Sequence, residues 1–255
     1  MKITFLGTGT SQGIPVIACN CDVCLSENEK DKRLRVSVLI EHLGKTIVID
    51  SGPDFRQQML RANVQKLDAV VFTHEHKDHI AGLDDVRAYN FKQEIAMDIY
   101  GTISLQNALK REFYYAFDEF KYPGVPELKL HTVTDDVFVV EGIPFIPINV
   151  LHYKMPVKAY RIGNFTYITD ANKIEEKELE KIKGSEIIVI NALRKEPHIS
   201  HFNLDEAVEL LKKLNPKKAY LTHISHLMGK HDVVQKELPD FIELAYDGLE
   251  ISLSN

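Results

Sequence analysis

Residues 70–85 read VVFTHEHKDHIAGLDD and place His74, His76, Asp78 and His79 within six positions, directly after an apolar run. Crowded imidazoles repel one another when protonated, and a lone histidine in a polar turn is ordinarily solvated. Four ligand-type residues at this spacing point to metal chemistry instead. Read as strand, turn and helix start, the segment sets His74 and His76 on one side of an extended stretch. Asp78 and His79 then approach the same point from the turn into the helix. One segment can therefore feed two neighbouring metal ions. Imidazole and carboxylate donors without thiolate suit Zn²⁺, Mn²⁺ or Fe.

The rest of the chain sets bounds on this reading. Its 255 residues are 44% hydrophobic and 27% charged, as expected of a globular α/β chain long enough to bury a large core. No apolar run is long enough to span a membrane. The start, MKITFLGTGTSQG, reaches glycine too soon for a signal peptide, so a cytoplasmic protein is expected. A net charge of −6 with dispersed Lys and Arg argues against a dedicated nucleic-acid binder. The three cysteines, Cys19, Cys21 and Cys24, fall together in CNCDVC. An odd number at such spacing makes a poor disulfide framework and reads better as metal ligation.

Strand and helix signals alternate along the chain. KITFLGTG and VSVLIEHLGKTIVIDSG read as strands, the second folded as a hairpin at HLGK. PDFRQQMLRANV reads as a helix, DAVVFTHEH as a strand, and DHIAGLDDVRAYNF as a helix start. The pattern then restarts with VFVVEGIPFIPINVLH, AYRIGNFTYITDA, EIIVINAL and KAYLTHIS as strands. KIEEKELEKIK and LDEAVELLKKL read as helices. Two β-rich sets followed by helices predict two facing sheets with helices outside, a four-layer αββα sandwich. We read residues 1–255 as a single domain of two pseudo-equivalent halves. Residues 85–130, rich in aromatics, read as less regular: either an insertion near the site or core aromatics under a long loop.

Further ligands should stand at strand ends. His152 ends IPFIPINVLH, Asp170 ends FTYITD and His223 ends KAYLTH. Each alone has an ordinary structural explanation; the common position of all three favours a site.

THEHKDH resembles the T-H-x-H-x-D-H signature of the metallo-β-lactamase fold hydrolases, and the later His, Asp and His follow in that family's order. The resemblance runs from FLGTGTSQG to LTHISH. It implies that His74, His76 and His152 bind one metal, that Asp78, His79 and His223 bind a second, and that Asp170 bridges them. Asp50, ending TIVID, is implied to orient ligands from behind.

Within the family the chain is most similar to PhnP-like phosphodiesterases, relatives of the tRNA 3′-processing nucleases. Cys19, Cys21 and Cys24 with His226 form a Cys₃His set, the pattern of a structural zinc. The segment from His201 to His223 looks like the one that carries a catalytic histidine in that branch, and its length favours His201 over His198. The basic, Gly-rich arm with which the nucleases grip tRNA has no counterpart here. The resemblance therefore implies a small, cyclic phosphodiester as substrate and two divalent ions, Mn, Zn or Fe. Asp78 would orient a metal-bound hydroxide and His201 would protonate the leaving group. Arg87 and Tyr89 are candidates for contacting a second phosphate or a ribose, and a homodimer is expected by resemblance. The alternatives are a tRNA-processing-type endoribonuclease and a thioester or lactam hydrolase on the same fold.

Overall fold

Runs rich in Val and Ile, punctuated by turns, build fifteen strands in the computed structural model, which describes residues 1–120 and 122–253. They are β1 (Lys2–Gly7), β2 (Ser37–His42), β3 (Lys45–Ile49), β4 (Ala69–Val71), β5 (Met97–Gly101), β6 (Leu128–Thr132), β7 (Phe138–Val140) and β8 (Ile143–His152). There follow β9 (Met155–Ile162), β10 (Phe165–Ile168), β11 (Lys173–Ile174), β12 (Ile187–Asn191), β13 (Lys218–Thr222), β14 (Ile242–Leu244) and β15 (Glu250–Ser252). The helices that matter below are α1 (Phe55–Arg61), α2 (Lys77–Ile80), α3 (Arg87–Gln93), α4 (Ile103–Glu112), α5 (Tyr114–Phe117), α6 (Glu176–Ile182), α7 (Leu204–Leu214) and α8 (His231–Val234).

The first sheet runs β15-β1-β2-β3-β4-β5-β6, and the second runs β11-β8-β9-β10-β12-β13-β14 with β7 beside β8. In the first, β1, β2 and β3 pair antiparallel, and β3 to β6 pair parallel. The second repeats this sense: β8, β9 and β10 antiparallel, then β10, β12, β13 and β14 parallel. The hairpin at HLGK has a two-residue loop, with Leu43 and Gly44 at φ 50° and 73°, the left-handed pair that matches strand twist.

Strand alternation decides which face packs where. Ile47 and Ile49 of β3 point between the sheets, where Phe145, Tyr160, Phe165 and Tyr167 meet them, while Val48 faces outward. Both faces of each sheet are thus apolar, so both need a cover. The outer face of the first sheet packs on α1, α3 and α4, and that of the second on α6 and α7. The result is the αββα sandwich expected. Each fully buried side chain of this size contributes about 1.5–3 kcal/mol by leaving water.

Two expectations are corrected. Residues 85–130 are more regular than expected: β5 and β6 extend the first sheet there, with α3, α4 and α5 between and around them. Phe113 and Ala116 are core, whereas Tyr114, Phe120 and Tyr122 are exposed; Lys121 lies outside the described residues. The strand expected through His76 is shorter, since β4 ends at Val71 and His74 and His76 lie in the connection to α2, which itself carries Asp78 and His79.

The candidate residues all stand at one edge. Asp50 follows β3, the motif follows β4, His152 ends β8, Asp170 lies two residues beyond β10, and His223 follows β13. Asp50, Asp170 and His223 adopt φ of 64°, 55° and 55°. Left-handed backbone is costly for such residues and concentrates where a site demands it.

Candidate metal centre

His74, His79 and His223 are buried, and the Nε2 atom of each has no hydrogen-bond partner. All three point at one carboxylate. Asp170 Oδ2 lies 3.7 Å from His74 Nε2 and 3.4 Å from His79 Nε2, and Asp170 Oδ1 lies 3.2 Å from His223 Nε2. Asp78 Oδ2 adds contacts of 3.4 Å to His79 and 3.8 Å to His223. Orphaned buried nitrogens cost free energy unless something fills the space between them. A divalent cation fits that space.

The donor atoms fall into overlapping groups: Asp78, His79, Asp170 and His223; His74, His76 and Asp170; and His152, Asp170 and His201. Asp170 belongs to all three, as a bridging ligand must. The expected partnership of His152 with His74 and His76 is looser, with ring centroids 6.0 Å and 5.1 Å away. His152 packs closer to His201, at 4.5 Å, which in turn stacks on His223 at 4.7 Å.

Behind the ligands, hydrogen bonds fix which nitrogen faces the centre. Asp50 Oδ2 receives the His79 Nδ1–H at 2.8 Å and the Thr73 hydroxyl at 2.8 Å, while Thr73 N donates to Asp50 Oδ1. The Thr73 hydroxyl also touches His74 Nδ1 at 3.0 Å. His152 Nδ1 donates to the Ser200 carbonyl at 2.9 Å, which turns its Nε2 inward. Such outer contacts set tautomer and ring orientation. The Ser200 contact was not readable from sequence, because a backbone carbonyl has no residue signature. Thr73 was visible as the first letter of the motif.

The same carboxylates govern protonation. Burial opposes charge on His79, but Asp170, Asp78 and Asp50 outweigh it and hold the ring well above the usual imidazole range. Burial likewise works against ionised Asp170 and Asp78, yet His223 and His79 hold Asp170 down, and His79 with the nearby His223 holds Asp78 down. Burial, then His79, drives His74 well below. Burial, then His223, pushes His201 down to about 2. A cation at this point would compete with a proton for His79 Nε2.

A second cluster lies apart in sequence. Cys19, Cys21 and Cys24 Sγ sit 3.3, 3.4 and 3.5 Å from His226 Nδ1. On a tetrahedral zinc with Zn–S about 2.3 Å and Zn–N about 2.0–2.1 Å, sulfur and nitrogen are roughly 3.5–3.6 Å apart. The set fits that geometry. The Cys24 amide, donating to Cys21 sulfur, pulls Cys21 down to about 6, while burial pushes Cys24 up to about 11.

Arg87 and Tyr89 do not join the centre. Arg87 pairs with Asp84 at 3.1 Å, and the buried Tyr89 donates to the Val64 carbonyl at 3.0 Å in the outer helical layer. One turn of helix placed them after the motif, but α3 turns their side chains to its own packing.

Comparison with known proteins gives the family. Residues 45–224 match the β-lactamase superfamily domain, and a solved PhnP-family diphosphatase is 39% identical, with a TM-score of 0.92 over 98% of this chain and 96% of that one. The chain belongs to the β-lactamase superfamily and, within it, to the PhnP family. A protein of Porphyromonas gingivalis named octanoyltransferase is 39% identical over 98% of this chain but only 51% of its own length. Ribonuclease Z of a Nostoc species is 28% identical over 64% of this chain and 46% of its own length. This PhnP-family chain therefore spans about half the length of the curated relatives it matches. Zn²⁺-bound PqqB of Methylobacterium extorquens, 17% identical with a TM-score of 0.79 over 99% and 100% of the two chains, shares the fold. Among the described residues no helix is long and apolar enough to cross a membrane.

Proposed function

We propose that this chain is a metal-dependent phosphodiesterase acting on a small, cyclic phosphodiester at a dinuclear centre. The observation that carries the reading is the convergence of the unpartnered His74, His79 and His223 Nε2 atoms on Asp170, with His201 stacked beside them. His74, His76 and His152 would hold one ion, and Asp78, His79 and His223 the other, with Asp170 shared. Nitrogen and oxygen donors accept Mn, Zn or Fe. Cys19, Cys21, Cys24 and His226 would hold a structural zinc. When bound, the active-site ions would activate water and neutralise charge on the phosphoryl oxygens.

The chain's own residues do the rest. Asp50 and Thr73 lock the His79 and His74 tautomers, and the Ser200 carbonyl locks His152. Asp78 orients the nucleophile by accepting its hydrogen bond. His201 protonates the departing alkoxide. Its ring is held neutral in the protein alone, and a phosphodiester anion set against it favours the imidazolium, so His201 takes a proton from solvent as the substrate binds and passes it to the leaving oxygen. General acid catalysis of this kind is typically worth ~10²–10⁴-fold.

A second reading rests on the octanoyltransferase named among the relatives: thioester or acyl chemistry on the same fold. The two separate in one comparison. With Mn²⁺ supplied, the protein should hydrolyse bis(p-nitrophenyl) phosphate at least tenfold faster than an octanoyl thioester at equal concentration. Faster thioester turnover would overturn the phosphodiesterase reading.

A further inference from the structure

On the His152 side of the metal centre lies an open cavity of about 530 Å³, bounded by His76, His152, Tyr153, Lys154, Met155 and Ile199 among others. Its walls carry two large apolar side chains in the open: Tyr153 is 49% exposed and Ile199 67%. Single exposed apolar residues are ordinary. These two come from different segments, and one side chain ties those segments together. Asn172 Oδ1 accepts the Tyr153 N–H at 2.7 Å, and Asn172 Nδ2 donates to the Ile199 carbonyl at 3.2 Å. The Asn172 backbone is itself anchored, its N–H donating to the Leu151 carbonyl at 2.8 Å.

The backbone is committed to this arrangement. Tyr153 sits at φ 57°, a left-handed conformation that a bulky aromatic residue rarely takes, and so its ring is carried out of the β8–β9 turn toward the cavity. The other wall belongs to the segment that offers the Ser200 carbonyl to His152 and delivers His201. The two apolar walls, a candidate metal ligand and the proposed proton donor thus form one cross-linked assembly. At the rim, Lys154 Nζ stands 5.3 Å from the Tyr153 ring centroid and adds positive charge.

We propose that Tyr153 and Ile199 are specificity-determining residues that clamp a planar, ring-bearing ester group of the substrate, with Asn172 as the positioning residue that sets their spacing. A flat ring stacks on a tyrosine face as nucleobases do on aromatic platforms, and a branched aliphatic side chain lining the same cavity adds apolar contact. Lys154 then meets negative charge on the same ligand. The substrate class is a nucleotide-like phosphoester rather than a bare sugar phosphate. The inference rests on the phosphodiesterase reading of the adjoining centre.

The test is calorimetric titration of the Mn²⁺-loaded protein with AMP and with ribose 5-phosphate, which differ by the ring alone. Turnover of bis(p-nitrophenyl) phosphate is recorded separately on the same samples. The wild type should bind AMP at least tenfold more tightly, within what one base stacked on an aromatic side chain supplies. Tyr153→Ala should erase that preference and Tyr153→Phe keep it, with ribose 5-phosphate affinity unchanged in both. Asn172→Ala should cut the preference severalfold without moving ribose 5-phosphate binding, which a general loss of folding would not do. Equal affinities in the wild type, absence of binding of either, or a preference surviving Tyr153→Ala each overturns the clamp. Loss of turnover alone, with the binding preference intact, would instead count against the phosphodiesterase reading.

Discussion

Asp50 Oδ2 takes both the His79 ring N–H and the Thr73 hydroxyl in a fully buried position. Replacing it by Asn keeps the volume but removes the charge that favours the correct tautomer. Asp50→Asn should weaken metal binding by roughly 10–100-fold, read by competition with a chromogenic chelator. For His201→Ala, the expected loss depends on the leaving group. kcat on a cyclic alkyl phosphodiester should fall by ~10²–10⁴, while nitrophenolate, which leaves unaided, should show far less. At this scale the sequence was most legible where side chains carry the chemistry, as in His74 to His79. Arg87 and Tyr89 misled because nearness in sequence to the motif says nothing of which way a helix turns them. Ser200 and Asn172 stayed hidden because their parts are played through backbone contacts.

His201 stands two residues ahead of the N-cap of α7, whose start is fixed by a capping box. The Asn203 side chain accepts from Glu206 N at 2.9 Å, and the Glu206 carboxylate accepts from Asn203 N at 2.9 Å. Asn203→Ala should cost about 0.5–2 kcal/mol in chemical denaturation. A larger effect on activity than on stability would show that the cap also sets His201. α7 was legible because its apolar positions repeat at helical spacing, as was the β2–β3 hairpin from its turn. β5 and β6 were not, since short strands amid aromatics and prolines carry no clear alternation. β4 was overdrawn because the polar residues after Val71 looked like a strand continuing into the motif.

Across the whole molecule, contacts between distant segments tie the connections around β1 and β2 to α8. Arg33, buried, donates to the Thr8 hydroxyl at 2.7 Å and to His231 Nδ1 at 3.1 Å, and the His231 N–H donates to Asp31 at 2.7 Å. As an acceptor from Arg33, His231 must be neutral. Burial, then the Arg33 charge, lowers it to about 4. The unfolded chain binds that proton near pH 6.5 and the folded one only near 4, so stability is retained above 6.5 and lost as pH falls through this window. His231→Gln should show a smaller loss of melting temperature between pH 7 and 4.5 than the wild type. At the metal centre the shift is in the other direction, yet higher pH again helps. His79 carries a proton that a metal must displace, so metal affinity should rise with pH and binding should release protons. Calorimetry in buffers of different ionisation enthalpy counts them, and at least one per protein is expected at pH 7. The four-layer arrangement was legible from strand and helix order, because apolar runs buried on both faces require two covered sheets.

The centre stands or falls on Asp170, the one residue common to all three donor groups. The direct measurement is Mn²⁺-dependent hydrolysis of bis(p-nitrophenyl) phosphate by the wild type and by Asp170→Ala, with bound metal quantified on both. The account predicts turnover in the wild type and a loss of at least about 10³-fold in Asp170→Ala, together with loss of metal, since the bridging carboxylate organises the two-metal chemistry. A metal-loaded wild type without turnover, or an Asp170→Ala variant that keeps both metal and rate, would contradict it.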